Sequence, residues 1–437
     1  MKHPLIFAAT AAVAAFAAHA GYAALPSVSG VSLSQDAFTR TVTVNYTLSG
    51  APAIITLDIT TNGVSIGQQN VWAIAGDANK VVETGSRSME WHPDKSWPNR
   101  KFFAADGIQM GAVVTAWATN DPPMYLAADL VSGDVKYYTC AEAVPGGVQD
   151  LLYKTTSLLM RRIYARGRAF MMGSPTDEPG YFGVREAQHE VSFSHDYYIG
   201  VYEVTQQQWA QLWPNSWPSL HSNKTCRATR PVENIHYWQI RGETLNTQAP
   251  GGSSFLGRLR GKFDNAFAFD LPGAAQWEYA CRAGNGNYKY GDGTVIPSSL
   301  VSSADYEDAA FNEIARNAYN NAIGNYSSGS DPLKTTAANW NVDATCGTAI
   351  VGSYRSNSWG LYDMHGNVWE ICLDNYSGNE KNPYQETPTP TEHWYDTHPV
   401  KGGSYQRGPW RHRASFQMGW NTEPGEDYGF RVALTLD

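Results

Sequence analysis

Three short blocks near the end of this 437-residue chain constrain its fold more than any other feature: GLYDMHGNVWE at Gly360–Glu370, KGGSY at Lys401–Tyr405 and GFRVAL at Gly429–Leu434. Further segments precede them in a fixed order: FMMGSP (Phe170–Pro175), HEVSFSHDYYIGVYEVTQQQW (His189–Trp209), RPVEN (Arg230–Asn234) and LPGAAQWEYACRAG (Leu271–Gly284). Each alone is a weak signal, but the ordered set covers roughly residues 158–437 and specifies one scaffold. The same region carries a chemical restriction, because no cysteine lies beyond Cys372.

The ordered set closely resembles the formylglycine-generating (sulfatase-modifying factor) domain family. The resemblance implies an α+β, C-type-lectin-like fold for residues 158–437, poor in regular secondary structure and pinned by loops and calcium. It also implies an oxidative chemistry in which two thiolates just after GGSY hold copper, since soft sulfur ligands select Cu(I). Ungapped counting from GGSY puts those two positions on Arg407 and His412, within QRGPWRHRASFQMGW at Gln406–Trp420. Neither is a thiol, so no copper is expected and the conversion of a sulfatase cysteine is expected to be absent. No catalytic residue is assigned. Another branch, resembling the ergothioneine-pathway sulfoxide synthases, holds iron with histidines of an added helical domain. Here there is no HxxxH pair, and His189, His365, His393, His398 and His412 are scattered.

Calcium is the metal the resemblance implies, and a hard cation takes several oxygen ligands. In the family one calcium sits where the Asn of an AN-aromatic segment meets an Asp shortly before a GTAxV segment. Ala338-Asn339-Trp340, Asp343 and the GTAIV of 347–351 match that pattern. Asn339 and Asp343 would supply side chains, and Trp340 and Thr345 would supply carbonyls. A second family site points to Asn357, with Asn367 and Glu370 in the GNVWE turn. The structural alternative is that these Asn and Asp residues only close Asx turns in the loops.

Arg407, Trp410, Arg411, His412, Arg413, Phe416 and Trp420 concentrate cationic and aromatic groups in one C-terminal loop. Aromatic faces flanked by Arg suit sugar rings, anions or a protein hot spot. From this list the expected ligand-binding set is Arg407, Trp410, Arg411, His412 and Trp420, with a protein or glycan as the partner. The alternative is that one or two of the tryptophans are core residues and that Arg413 pairs with a structural carboxylate. Two function classes stay open: a binding or accessory protein, and an enzyme of the same superfamily with a non-thiol mechanism.

Residues 1–24 read as a signal peptide: a Lys2/His3 start, an Ala-rich apolar run from Leu5 to Ala18, then small residues to Ala24. The run is shorter than the ~20 residues needed to span a bilayer, so export to the periplasm or beyond the cell is expected without a membrane-spanning segment. A net charge of -9, with Lys and Arg scattered rather than run together, argues against nucleic acid. Five cysteines in an oxidising compartment leave at least one free or paired between chains.

At this length two domains are expected. TVTVNYTL (Thr41–Leu48) alternates with Val42, Val44, Tyr46 and Leu48 on one side, and AIITLDIT (Ala53–Thr60) follows after an SGAP turn. Further β-rich pieces at Val71–Ala75, Phe102–Phe103, Val113–Ala118 and Val135–Thr139 complete an expected immunoglobulin- or fibronectin-like sandwich over residues 25–140. Its Trp72, Trp91, Trp97 and Trp117 read as packing residues, with a sugar platform as the alternative. Residues 141–157 read as a linker. Helices are expected at Thr205–Leu212, behind a Thr cap, and at Gly273–Arg282, after Pro272.

Overall fold

The computed structural model describes residues 24–97, 109–222, 225–301, 307–321, 347–376, 384–388, 390–393 and 395–436, with the backbone of 5–8. The chain divides into two compact units, residues 1–127 with 135–150, and residues 128–134 with 151–437. No helix among the described residues is long and apolar enough to cross a membrane.

The first unit is built from strands β1 (Leu5–Ala8), β2 (Ser27–Gln35), β3 (Val42–Ser49), β4 (Ala53–Thr61), β5 (Val64–Ser65), β6 (Ile74–Gly76), β7 (Lys80–Val82), β8 (Gly85–Trp91) and β9 (Met110–Ala118). One sheet has the order β1-β2-β3-β8-β6, and in the other β4 pairs with β5, β7 and β9. Val42, Val44, Tyr46 and Leu48 are all buried while their neighbours face outward, as a period-two strand requires. The SGAP turn carries the chain from one sheet to the other. Gly50 sits there at φ +90°, where a Cβ would lie 2.3 Å from the Leu25 carbonyl oxygen, so this corner admits only glycine. β4 and β9 pair over their whole length, Ala53 opposite Ala118 through Thr61 opposite Met110, and side chains of both sheets share one hydrophobic core. Trp91 belongs to that core, its Nε1 donating to Ser96 Oγ at 2.8 Å. Trp117 donates to Thr56 Oγ1, and Trp72 is exposed. Phe102 and Phe103 lie outside the described residues, as does most of the expected leader. The backbone of Leu5–Ala8 pairs antiparallel with β2.

In the second unit the strand Ser157–Ile163 pairs antiparallel with Tyr197–Gly200, which pairs in turn with Ala433–Thr435. A second, four-stranded sheet runs in the order Met418–Trp420, His398–Lys401, Trp369–Ile371, Tyr428–Gly429. Glu370 stands opposite Lys401 on one side and Gly429 on the other. The three C-terminal blocks therefore contribute adjoining strands to one sheet.

Both expected helices form. Gln206–Leu212 starts at Thr205, whose hydroxyl accepts from Gln208 N while the Gln208 side chain accepts from Thr205 N, a capping box. Ala274–Arg282 follows Pro272, and Asp374 accepts the Ala274 N–H at 2.6 Å. A third helix, Phe255–Lys262 with a Ser254 cap, has no counterpart in the sequence reading. Its Gly257 and Gly261 dilute the helical signal.

Candidate functional site

Acidic groups within the blocks are consumed by the scaffold. Glu370 takes Arg431 Nε and Nη2 on its two oxygens and also accepts from Trp277 Nε1 at 2.7 Å. Glu278 meets Lys401 Nζ at 3.0 Å and Arg282 Nη2 at 2.8 Å, all three side chains being buried. Glu203 accepts from Asn367 Nδ2 and Val368 N. Burial raises the Glu203 carboxyl well above the ordinary range and pushes Asp363 to about 6. Among the described residues no group of three or more His, Cys, Asp or Glu side chains is arranged to hold a metal.

The segment Ser404–Trp420 does not present its aromatic and cationic residues as one exposed face. Trp410, His412 and Trp420 are buried, and Arg407 and Arg411 are half-buried. Trp410 packs against Phe182 and Phe416, with ring centroids 5.2 and 5.1 Å away, and Arg411 lies over its indole at 4.5 Å. His412 places Nδ1 2.8 Å from the Gly408 carbonyl and Nε2 3.1 Å from the Ser404 carbonyl. Burial pushes its pKa down to about 3, so it is neutral and enclosed. Arg413 pairs with Glu186 and Glu178, the structural alternative given above. The aromatic rings Trp410 and Phe416 fold inward around the helical turn Pro409–His412, Arg413 folds in with them, and Arg407 and Arg411 stay half-buried.

Trp420 instead forms the wall of a surface cleft of about 450 Å³, with Tyr428, Tyr376, Thr397, Gly419, Asn421 and Arg185. Trp420 and Tyr428 stack with centroids 5.8 Å apart. A Cβ on Gly419 would lie 2.4 Å from the Tyr376 ring, so glycine lets that ring rest on the strand. The Tyr376 hydroxyl is buried yet has no hydrogen-bond partner among the described residues. Arg185 is exposed at the rim and stacks over Phe182, the ring that also touches Trp410.

Asn357 does not fit a calcium ligand. Its Nδ2 donates to the Ala280 and Cys281 carbonyls, and its Oδ1 accepts from Trp359 N and Leu361 N. These bonds use the amide's full capacity. Asn367 and Glu370 are likewise committed, as described. Asn339, Trp340, Asp343 and Thr345 lie outside the described residues. Cys281 and Cys372 are buried thiols whose pKa is raised by desolvation, which disfavours the nucleophilic thiolate.

Residues 154–436 match the Sulfatase-modifying factor enzyme 1-like domain. The chain belongs to this family. Its relatives include "Chaperone protein LppX" of Paenibacillus barcinonensis, 27% identical over 214 residues, or 45% of this chain and 66% of the relative. The "Formylglycine-generating enzyme" of Streptomyces coelicolor is 33% identical over 138 residues, 31% of this chain and 35% of the relative. The chain thus spans just under two thirds of the first and about a third of the second. A structure of PvdO from Pseudomonas aeruginosa aligns over 64% of this chain and 95% of its own, at 20% identity and a TM-score of 0.45.

Sequence reasoning missed most of the cleft. Tyr376, Arg185 and Tyr428 sit in segments without a motif, and only Met418, Gly419 and Trp420 lie in the loop singled out. It also read Arg and Lys as scattered, although RRIYARGR at Arg161–Arg168 places four arginines in eight residues.

Proposed function

We propose that this protein is an exported binding or accessory member of the sulfatase-modifying-factor family, and that its ligand is a glycan held in the Trp420–Tyr428 cleft. The observation that carries the reading is the cleft itself. It combines a stacked aromatic wall, a rim arginine and a buried Tyr376 hydroxyl without a described partner, a combination suited to a sugar ring with hydroxyls to satisfy. Thiol-dependent oxidation is absent in this reading, because the positions implied for the copper thiolates hold Arg407 and the enclosed His412. Export is supported by the leader composition, and a relative whose name denotes a chaperone is compatible with an accessory role. The first unit acts as a sandwich-like spacer or docking module. Calcium at Asn339 and Asp343 remains part of the proposal on sequence grounds alone.

A glycan array probed with the full chain tests the reading. Retention that is lost in Arg185→Ala and Asn421→Ala, two exposed residues, is the expected result. Ligands retained equally by both variants, or captured proteins but no glycan, would refute the cleft. Conversion of a Cys-x-Pro-x-Arg peptide to its formylglycine form, read by mass spectrometry, would refute the non-oxidase part.

A further inference from the structure

A second concave site lies in the same unit, built by RRIYARGR. The strand Ser157–Ile163 ends inside this segment, and a turn through Gly167, with Arg168 N donating to the Ala165 carbonyl, brings the last arginine back beside the first. The resulting pocket, of about 260 Å³, is lined by Arg161, Arg162, Tyr164, Arg168, Tyr279 and Trp359.

Its arginines are not equivalent. Arg162 is buried and spent, with Nε and Nη2 both on Asp196 Oδ2. Arg161 donates to the Trp359 carbonyl and stands over the indole at 5.9 Å. Arg168 is exposed, and its guanidinium makes no ion pair or hydrogen bond with a described residue. Elsewhere in the unit the arginines Arg241, Arg282, Arg413 and Arg431 each meet a carboxylate, whereas Arg168, like Arg185 at the rim of the cleft, keeps its charge at the mouth of a pocket. Tyr279 and Trp359 meet edge to face at 5.3 Å and form the apolar wall. Burial raises the Tyr279 hydroxyl, with Arg168 opposing the rise and Asp196 adding to it.

We propose that this pocket binds an oxyanion carried on a sugar ring, a uronate carboxylate or a sulfate ester, with Arg168 and Arg161 holding the charge and Trp359 and Tyr279 facing the ring. Guanidinium forks recognise planar oxyanions through charge-assisted hydrogen bonds, and the phenol and guanidinium donors around the wall suit a hydroxyl-bearing ring. The volume falls below the range of about 300–1,000 Å³ for drug-sized ligands, so one ring fits and an extended chain does not. A nucleic acid is disfavoured because the basic groups form one recess, not a stripe, on a chain of net charge -9. This site is separate from the Trp420 cleft and does not depend on it.

Titration calorimetry on the full chain tests the proposal with methyl glucuronide, a 6-sulfated glucoside, methyl glucoside and inorganic sulfate as probes. Saturable binding of one or both anionic sugars is expected. It should weaken by about tenfold or more in Arg168→Ala, partly recover in Arg168→Lys and fall with added salt. The neutral glucoside and sulfate alone should bind far more weakly. Arg185→Ala, in the cleft, should leave these affinities unchanged, which separates this site from the cleft reading. Arg168 has no described structural partner, so its variants should melt like the wild type. No saturable binding of either anionic sugar, unchanged affinity in Arg168→Ala, or, in the Arg185→Ala variant that impairs the cleft, equal binding of neutral glucoside or free sulfate would overturn the proposal.

Discussion

Arg431 and Glu370 meet in a fork-to-fork ion pair, Nε on Oε2 and Nη2 on Oε1, that joins the GFR block to the end of GNVWE inside the second unit. Arg431 also donates to the Gly200 and Tyr362 carbonyls, so one guanidinium ties three segments together. Removing one partner of a buried pair leaves the other charge uncompensated and costs about 3–5 kcal/mol. Glu370→Ala should reach that range, in denaturant unfolding followed by circular dichroism. The Glu370→Met/Arg431→Met double variant should be more stable than the sum of the single losses implies. Strict additivity would mean that the two side chains do not act as a pair.

This pair shows why the scaffold was legible in the sequence while the site was not. Motif residues such as Glu370, Lys401 and Arg431 solve a local problem, the satisfaction of buried charge between adjoining strands, and that solution fixes residue type and order. The period-two pattern of β3 was readable for a similar reason, since one side of the strand must be apolar. The cleft obeys no such rule. Tyr376, Trp420 and Arg185 come together only through the fold, and Trp410 reads the same whether it is a surface anchor or a core ring. The direction in which it points is set by Phe182, more than 200 residues earlier, which no local pattern records.

Trp410 provides a direct check on that distinction. Because it is 3% exposed and packed between Phe182 and Phe416, Trp410→Ala should destabilise the second unit by about 3–5 kcal/mol through cavity formation. Arg411→Ala should change stability by no more than about 1 kcal/mol, the scale of an exposed cation–π contact. Thermal unfolding of the two variants decides this. A stable Trp410→Ala protein would mean that the indole is not part of the core.

Asn357 separates structural loop closure from metal binding. Its amide bridges the end of the helix Ala274–Arg282 to the turn before GLYDM. Asn357→Ala strands buried backbone groups that each cost about 1–3 kcal/mol when unpaired, so a loss of a few kcal/mol is expected, equal with and without calcium. Chelation of the wild type and Asp343→Ala should instead lower the melting temperature together, by mass action on the native state. A calcium-dependent penalty in Asn357→Ala would return that residue to the metal site. No effect of chelator on the wild type would remove calcium from the proposal.

Buried titratable groups predict opposite pH signatures that variants can isolate. Desolvation pushes Glu233 up to about 8, with Leu220 N and His221 N as its donors. Between the ordinary carboxylate pKa near 4.5 and about 8, the folded state keeps this proton while the unfolded state releases it. Stability contributed at this site therefore falls as pH rises through that window and is level above it. His221 and His412 are both pushed down to about 3 by burial. Between about 6.5 and 3 the unfolded chain takes up protons that the folded chain refuses, so their effect is a loss of stability on acidification. Glu233→Gln should accordingly gain on the wild type as pH rises from 4.5 to 8, whatever fixed penalty the amide carries for facing two N–H donors. His412→Gln should gain on the wild type as pH falls from 6.5 towards 3. Unfolding free energies at half-unit pH intervals read both differences. A Glu233→Gln difference that stays flat from 4.5 to 8 would mean that the carboxylate is already ionised in the folded protein, with a cation or solvent reaching it.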